Sequence, residues 1–178
     1  MISEIEILKY LNEHRVVFLD DTFIFLSASA YAVCAAVLCV TGLFGFLKAK
    51  RRYISLFLLM GSALLISTIS VALLKYGEHR ERPFVEDEAI ELLTTANSPS
   101  FPSGHTTTCM VIFVTLAFHL KKQRLFLSCV FLWAFLVGYS RLALGAHYPS
   151  DVLTGVSIAF LSVAIVKSYL FKYCSLKL

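Results

Sequence analysis

Charge is what this sequence has least of. Only 16% of its 178 residues are Asp, Glu, Lys or Arg, against 58% that are hydrophobic, and its mean hydropathy is +0.76. A soluble domain of this size carries about 25% charge. That shortfall excludes the ordinary soluble classes and predicts one compact integral-membrane domain spanning residues 1–178. Paired cysteine spacing is also missing. Cys34, Cys39, Cys109 and Cys129 lie in apolar runs and Cys174 in the C-terminal tail, so buried reduced thiols are expected, without disulfide or metal. A cleaved secretory leader is not expected, because the first 21 residues are charged throughout. Internal repeats and low-complexity tracts are absent too.

What is present is a set of long apolar runs. A spanning helix needs about 20 mostly apolar residues. Five stretches approach that: 22–47, 54–74, 104–120, 125–144 and 151–171. The fold class expected is all-α, a bundle of five transmembrane helices. The third stretch is the shortest, and one long polar connection covers 75–103.

Charge then sets the orientation. Lys48, Lys50, Arg51 and Arg52 follow the first stretch, Lys121, Lys122 and Arg124 the third, and Lys167, Lys172 and Lys177 close the fifth. If five spans alternate, these ten cations share one side, which the positive-inside rule makes cytoplasmic. All twelve acids then fall on the other side. In a bacterium this puts the polar connection in the periplasm and the chain in the inner membrane.

Residues 1–21 are too charged to span. Ile7, Leu8, Leu11 and Phe18 share a helical face, with Glu6, Lys9, Asn12 and Glu13 opposite. Ser3 and Glu6 form a candidate capping box. The expectation is an amphipathic helix on the outer bilayer surface; a helix packed against the loops is the alternative.

Three polar motifs interrupt the apolar background. Lys75 to Pro83 reads KYGEHRERP, Pro102 to His105 reads PSGH, and Ser140 to Asp151 reads SRLALGAHYPSD. Taken alone, the first reads as a snorkelling Lys75 with Arg80 and Arg82 as loop charges. In the second, a helix N-terminus opening at Ser103-Gly104-His105 offers free N–H groups and positive potential to an anion. There Gly104 permits close backbone approach, and Ser103 suits either an N-cap or a phosphate donor. In the third, Arg141 sits inside an apolar run, where a cation costs roughly 2.5 to 3.5 kcal/mol, so a functional role is the default. Asp151 could reach back to His147, fix its tautomer and leave the other nitrogen as a nucleophile. Three cations in a membrane protein want an anion, and two histidines beside it suggest a nucleophile and an acid. The chain therefore reads as a membrane enzyme that cuts a phosphate ester.

Together these residues resemble the type-2 phosphatidic acid phosphatase superfamily, whose signature is K-x6-R-P, P-S-G-H and S-R-x5-H-x3-D. Every signature position is filled: Lys75, Arg82 and Pro83; Pro102, Ser103, Gly104 and His105; Ser140, Arg141, His147 and Asp151. Many relatives have six spans, and the amphipathic N-terminus looks like a shortened or substituted first one. The resemblance implies that His147 attacks phosphorus, that Asp151 orients it, and that His105 protonates the leaving oxygen and then activates water. It implies that Lys75, Arg82, Arg141, Ser103 and the Gly104 amide hold the phosphate, with no metal or other cofactor. The partners expected are a membrane lipid phosphate and the bilayer, not nucleic acid. Lipid A 1-phosphate is weakly favoured as substrate. Undecaprenyl diphosphate and phosphatidylglycerophosphate are the other candidates, and a lipid-to-lipid phosphotransferase would use the same site. Oligomeric state cannot be read from the sequence.

Overall fold

The structure is a computed structural model, and it describes residues 3–174. Every regular element among them is helical. In chain order these are α1 (Glu4–Glu13), a 3-10 turn at Val17–Leu19, α2 (Asp20–Leu47), α3 (Arg51–Glu78), the short α4 (Pro83–Glu86), α5 (Gly104–His119), α6 (Arg124–Ala143) and α7 (Pro149–Cys174). Three of the helices, α2, α3 and α7, run beyond the apolar stretches that predicted them, since a helix continues until its backbone is capped. Thus α3 extends through Lys75 and stops where His79 adopts a left-handed φ of 49°. Cys174, expected in a tail, closes α7. Lys177 lies outside the described residues.

Four segments are long and apolar enough to cross a membrane: Val17–Leu47, Arg51–Glu86, Arg124–Ala143 and Pro149–Leu170. With its relatives, reported below, this makes the chain a multi-pass membrane protein. Their outer faces expose large apolar side chains such as Leu43, Phe46, Leu65, Leu73, Phe135 and Leu161. That inverts the pattern of a soluble domain and suits contact with acyl chains. The third expected span, α5, is different. Its 16 residues extend about 24 Å at 1.5 Å per residue. It packs against α2, α3, α6 and α7, and ten of its residues are buried. Cys109, Val111, Val114 and Met110 form the middle of the core with Leu59, Ala63, Ala134, Val137, Ala159 and Val163. A helix ringed by others needs less lipid-facing surface, which is why its apolar run is short.

The N-terminal segment corrects the sequence reading. The capping box is present: Ser3 Oγ accepts from the Glu6 amide at 3.3 Å, and the Ser3 amide donates to Glu6 Oε2 at 2.7 Å. But Leu8, expected among acyl chains, is fully buried in protein against Ile90 and Tyr148. Asn12, expected on the outer polar face, is buried and exchanges hydrogen bonds with the Glu91 backbone (3.1 and 2.9 Å). Phe18 lies not on α1 but in the 3-10 turn leading into α2. The helix is thus packed against the loops. Periodicity identified a helix with an apolar stripe, but could not say whether protein or lipid covers that stripe.

Two sets of connections mark the two ends of the bundle. Arg52 reaches the carbonyl of His119 at 2.6 Å, so the turns after α2 and α5 meet at one end. At the other, Leu93 donates to the Leu144 carbonyl at 3.2 Å and Ser100 to that of Arg80 at 2.8 Å. This second end carries all three polar motifs and α1.

Candidate active site

Local chemistry builds the first half of the site. Ser103 caps α5: its hydroxyl accepts from the Thr106 amide at 3.5 Å and lies 2.9 Å from the Thr106 hydroxyl. The Ser103 amide donates to the Asp151 carbonyl at 3.1 Å, tying the second motif to the third. Close packing of α7 on this cap requires Gly155. A Cβ there would stand 2.8 Å from the Ser103 carbonyl oxygen and 3.0 Å from the Thr107 hydroxyl. At Gly104 a Cβ would meet only ordinary contacts, with the Tyr31 hydroxyl at 3.4 Å, so the backbone at the mouth of the helix stays open.

The turn after α6 supplies the second half. Gly145 has φ 67°, and a Cβ there would stand 2.6 Å from the Glu91 carbonyl oxygen. This left-handed residue lets the amides of Ala146 and His147 fold back onto the Arg141 carbonyl at 3.1 and 3.2 Å. His147 is thereby pinned one turn from Asp151. His147 Nδ1 lies 3.3 Å from Asp151 Oδ2, and that oxygen also accepts from the Tyr148 amide at 2.9 Å and the Ser100 hydroxyl at 2.5 Å. With Nδ1–H directed at the carboxylate, Nε2 carries the free lone pair. Burial pushes the His147 imidazole down to about 3; Asp151 opposes this, and the charges of Arg141 and Arg82 add to it. The ring is therefore neutral at neutral pH.

The cations lie at the same end of the bundle, and Arg82 is the one beside Nε2. Arg82 Nη1 lies 3.4 Å from it and donates to the Ala146 carbonyl at 2.6 Å, while its Nε donates to the Ser98 carbonyl at 2.8 Å. Lys75 Nζ donates to the carbonyls of Pro99 and Ser100. Arg141, almost wholly buried, donates from Nη1 to the Ser27 hydroxyl at 2.5 Å and leaves Nε without a partner. His105 is half-buried, 4.6 Å ring to ring from Tyr31, and feels the charge of Arg141, Arg82 and Lys75. None of these three cations forms an ion pair within the described residues. Cations this far from water without a carboxylate partner constitute a place for an anion.

All eight site residues expected from sequence lie at this end of the bundle, and direct contacts link Lys75, Arg82, Ser103, His147 and Asp151 through the 98–103 segment. Ser103 is fully buried with its hydroxyl engaged as the N-cap, the first of the two roles its sequence position suits. Three participants were missed. Ser100 and Ser27 carry no pattern that distinguishes them from other serines. Arg80 was set aside as a loop charge, yet it donates to Asp151 Oδ1 at 2.8 Å and to the Ser150 hydroxyl at 2.7 Å. Its position two residues before Arg82 was the available signal.

Comparison with known proteins identifies the family. The PAP2 superfamily profile matches residues 56–173. An undecaprenyl-diphosphatase, BcrC, of Bacillus subtilis (strain 168) is 32% identical over 161 residues, covering 90% of this chain and 77% of that protein. A lipid A 1-phosphatase of Rhizobium johnstonii is 37% identical over 83 residues, 46% of this chain and 29% of that protein. Among solved structures, Aquifex aeolicus LpxE superposes with a TM-score of 0.77 at 28% identity, covering 92% of this chain and 94% of that one. A profile matching most of the chain, a relative matched over 90% of it and a shared fold converge on one conclusion: the chain belongs to the PAP2 superfamily of integral-membrane lipid phosphatases.

Proposed function

We propose that this chain hydrolyses a phosphate or diphosphate group of a membrane lipid at the periplasmic face, releasing one phosphate through a phosphohistidine intermediate and without metal. The observation that carries this reading is the trio Lys75, Arg82 and Arg141, gathered at the end of the bundle that holds the carboxylate-oriented His147, with Arg82 beside its ring and no ion pair to any of the three among the described residues. His147 Nε2 forms the bond to phosphorus as the bond to the lipid oxygen breaks. His105 gives its proton to that oxygen. Asp151 balances the charge on the ring. A water then loses its proton to His105 and attacks phosphorus, which frees His147 and releases phosphate. Lys75, Arg82, Arg141 and the α5 N-terminus at Gly104 neutralise the equatorial oxygens. Ser103 supports this cradle as the helix cap.

In this reading α5 is a fifth crossing segment, shielded by the four longer helices, and the chain has five spans with α1 packed over the outer end. The cation-rich turns at the Arg52–His119 end face the cytoplasm. A thiol reagent that cannot cross the bilayer should then modify Glu88→Cys and spare Lys122→Cys in a cysteine-free background. The reverse pattern would place the site in the cytoplasm.

Among substrates, the match to an undecaprenyl-diphosphatase over 90% of this chain favours a polyprenyl diphosphate. Lipid A 1-phosphate, the lean of the sequence, is the second reading, supported by the shorter Rhizobium match. Transfer to an acceptor lipid would use the same chemistry, with a hydroxyl in place of water. The test is phosphate release by the purified protein in detergent from a panel of undecaprenyl diphosphate, lipid A and phosphatidylglycerophosphate, with and without an acceptor lipid. Activity on one or more should persist in excess EDTA and fall with vanadate. Activity that vanishes in EDTA and returns only with Mg²⁺ would overturn the metal-free mechanism.

A further inference from the structure

The site contains one cation that does not face the anion space. Arg80 instead reaches Asp151 from its second oxygen. Asp151 Oδ2 is crowded by His147, Ser100 and the Tyr148 amide, whereas Oδ1 has one partner among the described residues, Arg80 Nη1 at 2.8 Å. The carboxylate is wholly buried, so without Arg80 this oxygen would be unpaired, and little would stop the carboxylate from turning away from His147.

Arg80 is in turn held from outside the three motifs. Its Nη2 donates to Glu4 Oε2 at 2.8 Å, and its guanidinium lies over the Tyr148 ring, 3.7 Å from the centroid. Glu4 also accepts from the Ser150 amide at 2.8 Å and hydroxyl at 2.9 Å, so it grips both Arg80 and the N-terminus of α7. Burial alone would raise the Glu4 carboxyl, but the bonds from Arg80 and Ser150 outweigh it and hold it below the usual range. Leu8 and Asn12 fix α1 in place. The Glu4–Arg80 and Arg80–Asp151 links are short, charge-assisted contacts between residues far apart in sequence, the kind of geometry that sets a side chain rather than merely neutralising it.

We propose that Arg80 is a positioning residue for the nucleophile's carboxylate, and that Glu4 makes the N-terminal helix part of the active-site support through the chain Glu4–Arg80–Asp151–His147. This rests on the phosphohistidine reading above.

The test uses the full-length protein with a small soluble phosphate ester, so that lipid access plays no part. Arg80→Gln should lower kcat by about 10- to 100-fold, the usual range for an outer-shell partner, with KM changed less than about twofold. Glu4→Gln, which keeps size and most packing, should lower kcat by a smaller factor, and Arg80→Lys should recover part of the loss. A structural role would reduce the folded fraction and scale the whole pH profile without moving it. The positioning role moves the acid limb of kcat/KM, because the set of the Asp151 carboxylate against the His147 ring changes. Arg82, Arg141 and Lys75 remain on the other side of the ring, with Glu4 and Glu86 near Tyr148. Wild-type kcat and an unmoved acid limb in both Arg80→Gln and Glu4→Gln, with His147→Ala inactive, would overturn the proposal and leave the phosphohistidine reading standing. An active His147→Ala would remove both.

Discussion

Replacing His147 with Ala should reduce turnover by about 10⁴-fold or more and abolish acid-labile phosphoprotein, because the atom that would bond to phosphorus is gone. Asp151→Asn is the sharper version. An amide can still fill the space, but it no longer stabilises the ring's charge or reliably selects the Nδ1–H tautomer, and it faces Arg80 with a neutral oxygen or an opposing N–H. About 10²- to 10⁴-fold loss in kcat is expected, by analogy with the orienting acid of other triads. The same geometry sets the pH dependence. His147 attacks only when neutral. Burial and the nearby arginines push it down to about 3, so its acid limb in kcat/KM lies well below the ordinary histidine value of about 6.5. Activity should therefore persist at pH 5 and fall on the basic side as the proton donor is lost. Near-normal phosphate release by His147→Ala would refute the assignment of the nucleophile.

Arg141→Gln should separate function from stability. Arg141 is nearly inaccessible, with Nε unpartnered and a single hydroxyl for company. Holding a cation there without its anion is costly, and removing it should leave the melting temperature in detergent unchanged or raised. The same change should cut kcat/KM by about 10²- to 10³-fold, the range for one electrostatic donor to a developing anion, and weaken vanadate inhibition in parallel. Arg82→Gln is the comparison. Arg82 bonds the carbonyls of Ser98 and Ala146, so its loss should lower both activity and melting temperature. If Arg141→Gln is also less stable, and its activity loss matches its loss of folded protein, Arg141 is a structural residue.

The sequence by itself determined a great deal here, for reasons that are local. A run of apolar residues must become a helix in lipid because backbone groups have no other partners there, so the four long segments follow from composition and hydropathy alone. The capping boundaries at Ser3 and Ser103 are likewise set by side chains bonding amides three residues away. Ionisable residues embedded in apolar sequence have few uses, so Arg141, His147 and Asp151 stood out before any fold was known, and their spacing within one turn made the His147–Asp151 contact foreseeable. What only the tertiary structure decided depends on which elements meet. Leu8 and Asn12 belong to one helix, and nothing in that helix says that Tyr148 and Ile90 cover the first while the Glu91 backbone binds the second. Ser27 meets Arg141 across 114 positions, and Glu4 meets Arg80 across 76. Arg80 read as a loop charge because its partners, one at the N-terminus and one at the start of α7, converge only when α1 packs over the outer end of the bundle. Helix formation is encoded within a few residues; the pairing of distant polar groups is encoded only in the packing that brings them together.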